Sequence, residues 1–438
     1  MDAAMVVLQL AIVLIAIFLG ARLGSIGIGF AGGLGVLVLA LIGVKPGAIP
    51  IDVMLIIMSV IAAIAAMQVA GGLDYLVVLT EKLLRKHPKY ITYLAPVVTY
   101  FMTIMAGTGH TAFSTLPVIA EVAKEQGVRP SRPLSIAVVA SQIAITASPI
   151  SAAVVFFSGV MEPLGVDYLD ILMICLPTTF LAVMLTAVLA NHLGCELKDD
   201  PVYQERLAKG LVKMRGVSNI EILPGAKRSV LIFLIAVIAV MLYATLISDK
   251  VGLIDKENII LSRDNAIISF MLTTAAIIAF GCRIDCSNVL GASTFKSGMS
   301  ACVCILGVAW LGTTFVAAHE MGIKELAGGI LQAQPWLLAV ALFFVSMLLY
   351  SQAAATRALM PLAITVGAAP VTLVASFAAV SALFVLPTYP TLLAAVEMDD
   401  TGSTRIGKYV FNHPFLIPGV VAIALAVFFG FILAGIVL

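Results

Sequence analysis

Along the whole chain, long apolar runs alternate with short polar connectors, and the length of the runs decides the fold class. A helix crossing a hydrocarbon core about 30 Å thick needs about 20 mostly apolar residues. Runs of that order predict spanning helices at about 5–20, 24–44, 52–73, 134–161, 168–191, 229–247, 264–281, 297–316, 371–398 and 414–437. No stretch shows the two-residue alternation of a membrane barrel. Two other apolar segments, 91–123 and 335–366, are interrupted midway by small and polar residues. The interruptions are Gly107-Thr108-Gly109-His110-Thr111 and Ser351-Gln352-Ala353-Ala354-Ala355-Thr356.

Positive charge sets the sidedness, because cytoplasmic loops carry the excess of Lys and Arg. Connectors 74–90 (Lys82, Arg85, Lys86, Lys89) and 124–133 (Lys124, Arg129, Arg132) are both basic and hence both cytoplasmic. The segment between them leaves and returns to one side, as a re-entrant hairpin does. An equivalent hairpin at 335–366, entering from the outer side, keeps the remaining alternation consistent. The first run follows Asp2 and precedes Arg22, which predicts a retained helix with its N-terminus outside. Both termini then come out periplasmic, in a bacterial inner membrane.

The connector 192–228, with Lys198, Arg206, Lys209, Lys213, Arg215, Lys227 and Arg228, divides the chain into 1–191 and 229–438. Each half reads as three helices, a hairpin, a helix with a prolyl break and a last helix. Leu116-Pro117 matches Met360-Pro361, and Ala147-Ser148-Pro149-Ile150-Ser151 corresponds to Leu386-Pro387-Thr388-Tyr389-Pro390-Thr391. An odd number of crossings per half makes the repeats inverted. Inverted repeats with broken helices mark secondary transporters, whose sites lie near the midplane between the repeats. The expected fold is an all-α polytopic membrane protein of about ten spanning helices, two re-entrant hairpins and two broken helices.

Composition agrees and removes rivals. Only 11% of residues are charged, against roughly 25% in soluble domains, and mean hydropathy is +1.12. Net charge is +1 and the charges sit in connectors, so no basic face exists for nucleic acid. The six cysteines lack CxxC spacing and a neighbouring histidine pair, so they read as packing. No cofactor or metal is expected. An intramembrane enzyme would need a nucleophile with a base, or a metal cluster, at depth, and none is visible. Gly24–Gly35 reads as close helix packing, since no Lys-Ser/Thr follows as in a phosphate loop.

The breaks carry the chemistry. Non-helical backbone in a bilayer costs several kcal/mol per unsatisfied group unless protein, ligand or cavity water satisfies it. Helix N-termini are expected at His110–Ala112, Ile150–Ala152, near Ala355–Arg357 and near Thr391, each offering N–H groups and a positive dipole end to an anion. Candidate binding residues are Thr108, Gly109, His110, Thr111, Ser148, Pro149, Ser151, Gln352, Thr356, Arg357, Thr388, Tyr389 and Thr391. For the hydroxyls the alternative is packing at a tip or repair of a kink. Arg357 is the lone Lys or Arg inside a predicted membrane segment, either a fork for a substrate carboxylate or a structural charge. His110 could pair with a carboxylate or sense pH. Asp399 and Asp400 form a solvated cytoplasmic cap, or a gate or cation site.

Seven stretches carry a family resemblance: Phe18–Gly35 (FLGARLGSIGIGFAGGLG), Met67–Tyr75 (MQVAGGLDY), Gly107–Thr111 (GTGHT), Ile145–Val155 (ITASPISAAVV), Ser351–Ala355 (SQAAA), Leu386–Ala395 (LPTYPTLLAA) and Met398–Gly407 (MDDTGSTRIG). Through them the chain resembles the Dcu family of anaerobic C4-dicarboxylate transporters, most closely its aspartate and fumarate branch. The resemblance implies transport of fumarate, succinate, malate and aspartate, mainly by antiport, with cation-coupled uptake as the alternative. It also places the chain in the larger ion-transporter superfamily, whose members move a transport part in an elevator-like way against a dimer-forming scaffold. By that likeness 91–161 and 335–410 are the mobile part, the rest is scaffold, and the assembly is a homodimer or higher homo-oligomer. The tips read Gly-Thr-Gly-His and Ser-Gln-Ala-Ala where many of those relatives have Ser-Asn-Thr, so sodium coupling does not follow.

Overall fold

The computed structural model describes residues 3–23, 26–49, 51–213, 221–247, 254, 256–319, 333–387, 389–409 and 411–438, with no strand among them. The first half holds α1 (Ala3–Leu23), α2 (Gly27–Leu41), α3 (Ile51–Val69), α4 (Gly72–Lys86), α5 (Ile91–Ala106), α6 (Ala112–Glu125), α7 (Ser131–Ile143), α8 (Ala152–Met161) and α9 (Tyr168–Ala190). The connector carries α10 (Pro201–Ala208). The second half holds α11 (Ala226–Leu246), α12 (Arg263–Cys282), α13 (Ser293–Cys304), α14 (Trp310–Ala318), α15 (Leu337–Leu349), α16 (Gln352–Thr365), α17 (Pro370–Ser376), α18 (Pro390–Met398) and α19 (Leu416–Val437).

Among the described residues, α9, α11, α12 and α19 are each long and apolar enough to span a membrane as single helices. The run 131–164 reaches that length only as a broken one, through the 3₁₀ turn Ala144–Ala147 and the extended Ser148 and Ser151. Its counterpart runs through α17, a 3₁₀ stretch at Phe377–Phe384 and the gap before α18. The expected helix at 297–316 is interrupted by a π-turn, Ile305–Ala309, between α13 and α14. The expected connector 74–90 is mostly helix: α4 leaves α3 at 73°. Gly71 makes the corner at φ 83°, a conformation that costs glycine no Cβ clash.

The helices sort into two packed groups. In one, α1 lies on α2, α2 on the π-turn, and α3 on α12 and α13. Val13, Ile17, Val36, Leu39 and Leu311 form a small core there. A Cβ on Gly307 would overlap the backbone of Gly29, so the glycine stretch does serve close helix approach. In the other, α5 clasps α7, α15 clasps the Phe377–Phe384 stretch, and α9 and α19 pack on one another and on α7.

The clasp is chemical as well as steric. Thr99 Oγ1 on α5 donates to the Ala137 carbonyl of α7 at 2.9 Å. Ser346 Oγ on α15 lies 3.2 Å from the Ala379 carbonyl and accepts from the Ala382 N–H at 3.3 Å. Ala382 has left helical geometry (ψ 26°), and the serine satisfies the group thereby freed. Each hairpin thus braces the broken helix of its own half through one hydroxyl.

The connector docks on the end of the second broken helix. Asp200, buried, lies 2.6 Å from Arg129 Nη1 and 3.4 Å from Arg405 Nη1. Arg206 Nε donates to the Asp400 carbonyl at 2.8 Å, and Lys124 Nζ lies 3.0 Å from the Asp400 carboxylate. Burial alone would raise the Asp200 pKa, but the Val202 N–H and the charges of Arg129 and Arg405 outweigh it and hold the carboxyl below its ordinary range. The stabilisation from a depressed pKa is present above the unfolded value of about 3.9 and is lost only as pH falls through the lower folded value. Docking should therefore be indifferent to pH between 6 and 8, about two units or more above that unfolded value. Asp200→Asn strands the buried Arg129, a loss of about 3–5 kcal/mol for a broken buried pair. The check is tryptic cleavage at Lys209 and Lys213: faster in the variant, equal at both pH values in wild type. Faster wild-type cleavage at pH 6 would overturn this account.

Two cysteine expectations need correction. Cys175 and Cys302 are buried as packing requires, but Cys195 and Cys286 are exposed. Cys195 sits in the polar connector, where its Sγ accepts from Arg129 Nη1 at 2.9 Å.

Candidate functional site

The first hairpin turns at the expected residues. Gly107 ends α5 at φ 67°, its Cα against the Ile150 carbonyl, where a Cβ would come within 3.0 Å. A single 3₁₀ turn, Gly109–Thr111, leads into α6. The second hairpin turns earlier than expected. Tyr350 takes φ 52°, unusual for a residue with a Cβ, and Ser351 caps the next helix, its Oγ accepting from Ala354 N at 3.2 Å. The helix therefore begins at Gln352, not near Ala355–Arg357. Gln352 and Thr356 lie in its first turns rather than in a loop. The Tyr350 ring stacks on Tyr389 at 6.3 Å and 9°, tying this tip to the second break.

The breaks begin their helices at Ala152 and Pro390, as expected within a residue. Their hydroxyls have definite partners. Ser148 Oγ donates to the Ile104 carbonyl at 2.7 Å, Ser151 Oγ to the Ile145 carbonyl at 2.7 Å, and Thr356 Oγ1 to the Gln352 carbonyl at 2.7 Å. Thr111 Oγ1 lies 3.2 Å from the Thr108 carbonyl. The Pro149 carbonyl accepts from the Tyr168 hydroxyl. A hydroxyl has one proton, and one donated to a carbonyl is not also available to an anion. What the breaks leave open is backbone: after the Ser151 and Ser351 caps, the N–H groups of Ala152, Ala153, Gln352 and Ala353 have no intrahelical acceptor.

The two halves meet at a residue that the pattern of breaks did not single out. Gln142, wholly buried near the end of α7, donates from Nε2 to Thr391 Oγ1 at 3.1 Å, and its Oε1 accepts from Gln352 Nε2 at 3.2 Å. Gly109 completes the contact, since a Cβ there would come within 2.9 Å of Gln142 Nε2. One amide thus joins the first tip, the second tip and the second break. The available signal was Ser141-Gln142, a polar pair at membrane depth two turns before Ser148-Pro149.

Arg357 lies further along α16, its guanidinium 4.5 Å from the centre of the Phe156 ring on α8. At about 100° per residue it projects roughly 140° around the helix from Gln352. It therefore faces the seam between α16 and α8, with Gln352 and Gln142 on another side. Tyr389 and Thr391 are buried. Thr388 lies outside the described residues, as does the side chain of His110.

Asp399 and Asp400 stand apart from this cluster, on the connector side. Asp399 is buried and accepts from Thr401 N, Thr401 Oγ1, Ser403 Oγ and Thr404 N, between 2.5 and 3.0 Å. A carboxylate with four donors is an organiser of its loop. Asp400 is the docking partner of Lys124 and Arg206 described above. No cluster of three His, Cys, Asp or Glu side chains suited to a metal occurs among the described residues.

Comparison with known proteins places the chain. The family model described as "Anaerobic c4-dicarboxylate membrane transporter" matches residues 5–438. A C4-dicarboxylate transporter DcuA of Wolinella succinogenes is 69% identical over 435 residues, 99% of this chain and 100% of that one. DcuA of Escherichia coli is 62% identical over the same length, and an anaerobic C4-dicarboxylate transporter DcuB from that species is 35% identical over 98% of both chains. Among solved structures, the Alcanivorax borkumensis YdaH transporter superposes with a TM-score of 0.53 at 13% identity, covering 86% of this chain and 84% of that one. That likeness is one of fold.

Proposed function

The chain belongs to the anaerobic C4-dicarboxylate membrane transporter family, and from that membership we propose that it carries fumarate, succinate, malate and aspartate across the bacterial inner membrane, mainly by antiport. Its relatives are transporters, a class without catalysis, and its apolar helices fit a multi-pass membrane protein.

The observation that carries the reading is the junction at Gln142, where both tips and the second break meet in the membrane region. We assign anion recognition chiefly to the open N–H groups at the starts of α8 and α16 and to the Gln142 and Gln352 amides. Thr108, Gly109, His110, Thr111, Thr388, Tyr389 and Thr391 complete the lining. Ser148, Pro149, Ser151 and Thr356 hold the breaks in shape. Arg357 approaches from the α8 seam to take a carboxylate. Two helix termini contribute up to about 2 kcal/mol each when partly buried. With a charge-assisted bond of about 1.5–3 kcal/mol, binding falls in the roughly micromolar to millimolar range, which suits a carrier that must release its load.

Motion follows the packing. The mobile part is 91–161 with 335–410 and the scaffold is the remainder, so α9 and α19, which pack on α7, form the scaffold surface against which the mobile part slides. The scaffold supports a homodimer. Asp399 holds its loop in shape and Asp400 keeps the connector docked through the cycle.

Counterflow in proteoliposomes tests the reaction. Vesicles loaded with unlabelled succinate should take up labelled fumarate rapidly with no sodium or proton gradient imposed. Uptake that waits for such a gradient would overturn antiport in favour of the cation-coupled carrier.

A further inference from the structure

We propose that α4 is an interfacial helix whose outer face binds the phosphate groups of anionic phospholipids. The inference starts from the 73° corner at Gly71, which takes α4 out of the line of the spanning helix α3. Its inner face, Leu73, Val77, Thr80, Glu81 and Leu84, is buried against α6 and α11. The opposite face mixes two kinds of residue. Leu79 and Leu83 are exposed by 52% and 41%, and Tyr90, in the Pro88–Tyr90 turn that follows the helix, by 61%. Lys82 and Lys86 are exposed beside the leucines, and Lys89 beside Tyr90 in the turn.

Neither a water-facing nor a spanning helix accounts for that mixture. A water-facing side would not collect exposed leucines, and a spanning side would not carry three lysines. At the membrane boundary both fit: the leucines enter the acyl region while the lysine stems lie along it and raise their ammonium groups to the headgroups.

Among the described residues, the charge on this face is uncompensated. Arg85 turns inward, 2.7 Å from Glu81 and also paired with Glu125, so it consumes the nearby carboxylates. Among the described residues, Lys82, Lys86 and Lys89 form no ion pair with any acidic side chain. A negatively charged headgroup layer is the partner of complementary charge, and each lysine near it adds attraction. The position gives the contact leverage. Helix α4 joins α3 to the first hairpin through the Pro88–Tyr90 turn, so lipid held there anchors the strut between scaffold and mobile part.

The test is lipid retention by the full-length protein, purified in detergent and titrated with phosphatidylglycerol or phosphatidylcholine under native mass spectrometry. Wild type should retain phosphatidylglycerol at least tenfold better than phosphatidylcholine. The triple variant K82Q/K86Q/K89Q should lose most of that preference, while K198Q/K209Q, on the connector, keeps it. Inorganic phosphate at millimolar concentration should not displace the lipid, because the leucines contribute to holding it. An unchanged preference in the triple variant would overturn the proposal. Displacement by phosphate would do so as well, by showing an anion site without a lipid.

Discussion

Arg357→Ala should abolish dicarboxylate uptake while leaving the protein inserted in the membrane at wild-type abundance. The expectation rests on the proposed role of this guanidinium as a fork for a substrate carboxylate. A guanidinium at membrane depth costs about 2.5–3.5 kcal/mol on insertion scales. Stacking on Phe156 at 4.5 Å returns about 0.5–2 kcal/mol. On the proposed reading, a charge-assisted pair with a substrate carboxylate adds about 1.5–3 kcal/mol. Arg357→Lys keeps the charge but loses the planar stack and the fork, so KM should rise about tenfold or more with a smaller change in maximal rate. Phe156→Leu should move KM in the same direction by less. The measurement is initial-rate counterflow with quantified reconstituted protein. Wild-type kinetics in the alanine variant would sink the carboxylate role and leave Arg357 as a charge held for packing.

Gln142→Leu should lower exchange by one to two orders of magnitude, from a different cause. The leucine fills nearly the same volume but strips Gln352 of an acceptor and Thr391 of a donor, both of them buried. Each buried polar group left unpaired costs about 1–3 kcal/mol. The backbone carbonyl of residue 142 still accepts from Gln352 Nε2 at 3.3 Å, but the side-chain link that runs from Gln352 through the amide to Thr391 is lost. Gln142→Glu separates recognition from packing. It keeps the shape while adding negative charge beside the tips, so succinate and fumarate should suffer more than aspartate, whose ammonium group can meet the new carboxylate. A purely structural glutamine predicts equal losses for all of them, and that equality would refute a part in recognition.

Much of this architecture was legible in the residue pattern because a bilayer enforces simple rules. Every backbone polar group at depth must be satisfied internally, so apolar run length alone called for helices, and interrupted runs stood out as breaks. The first tip, at Gly107–Thr111, was placed by its glycines, and Gly107 does take a positive φ. The second was misplaced because its turn needs no glycine: Tyr350 enters the left-handed region, stacked on a tyrosine about forty residues away in the chain. Such a partner cannot be read locally.

Membership of the family, the helical class, the first tip and the helix starts after the two prolyl breaks were determined by the sequence itself. They follow from local quantities: the motifs themselves, hydropathy, and the reach of proline and glycine over a few residues. Which polar groups remain available at the breaks was decided only in three dimensions. Ser148, Ser151 and Thr356 looked like donors to an anion until their protons were found on carbonyls of their own helices and neighbours. Gln142 looked like one polar residue in an apolar helix until folding brought Gln352, 210 residues away, and Thr391, 249 residues away, onto its amide. Hydrogen bonds act over about 3 Å, and only the packed chain determines which atoms come that close.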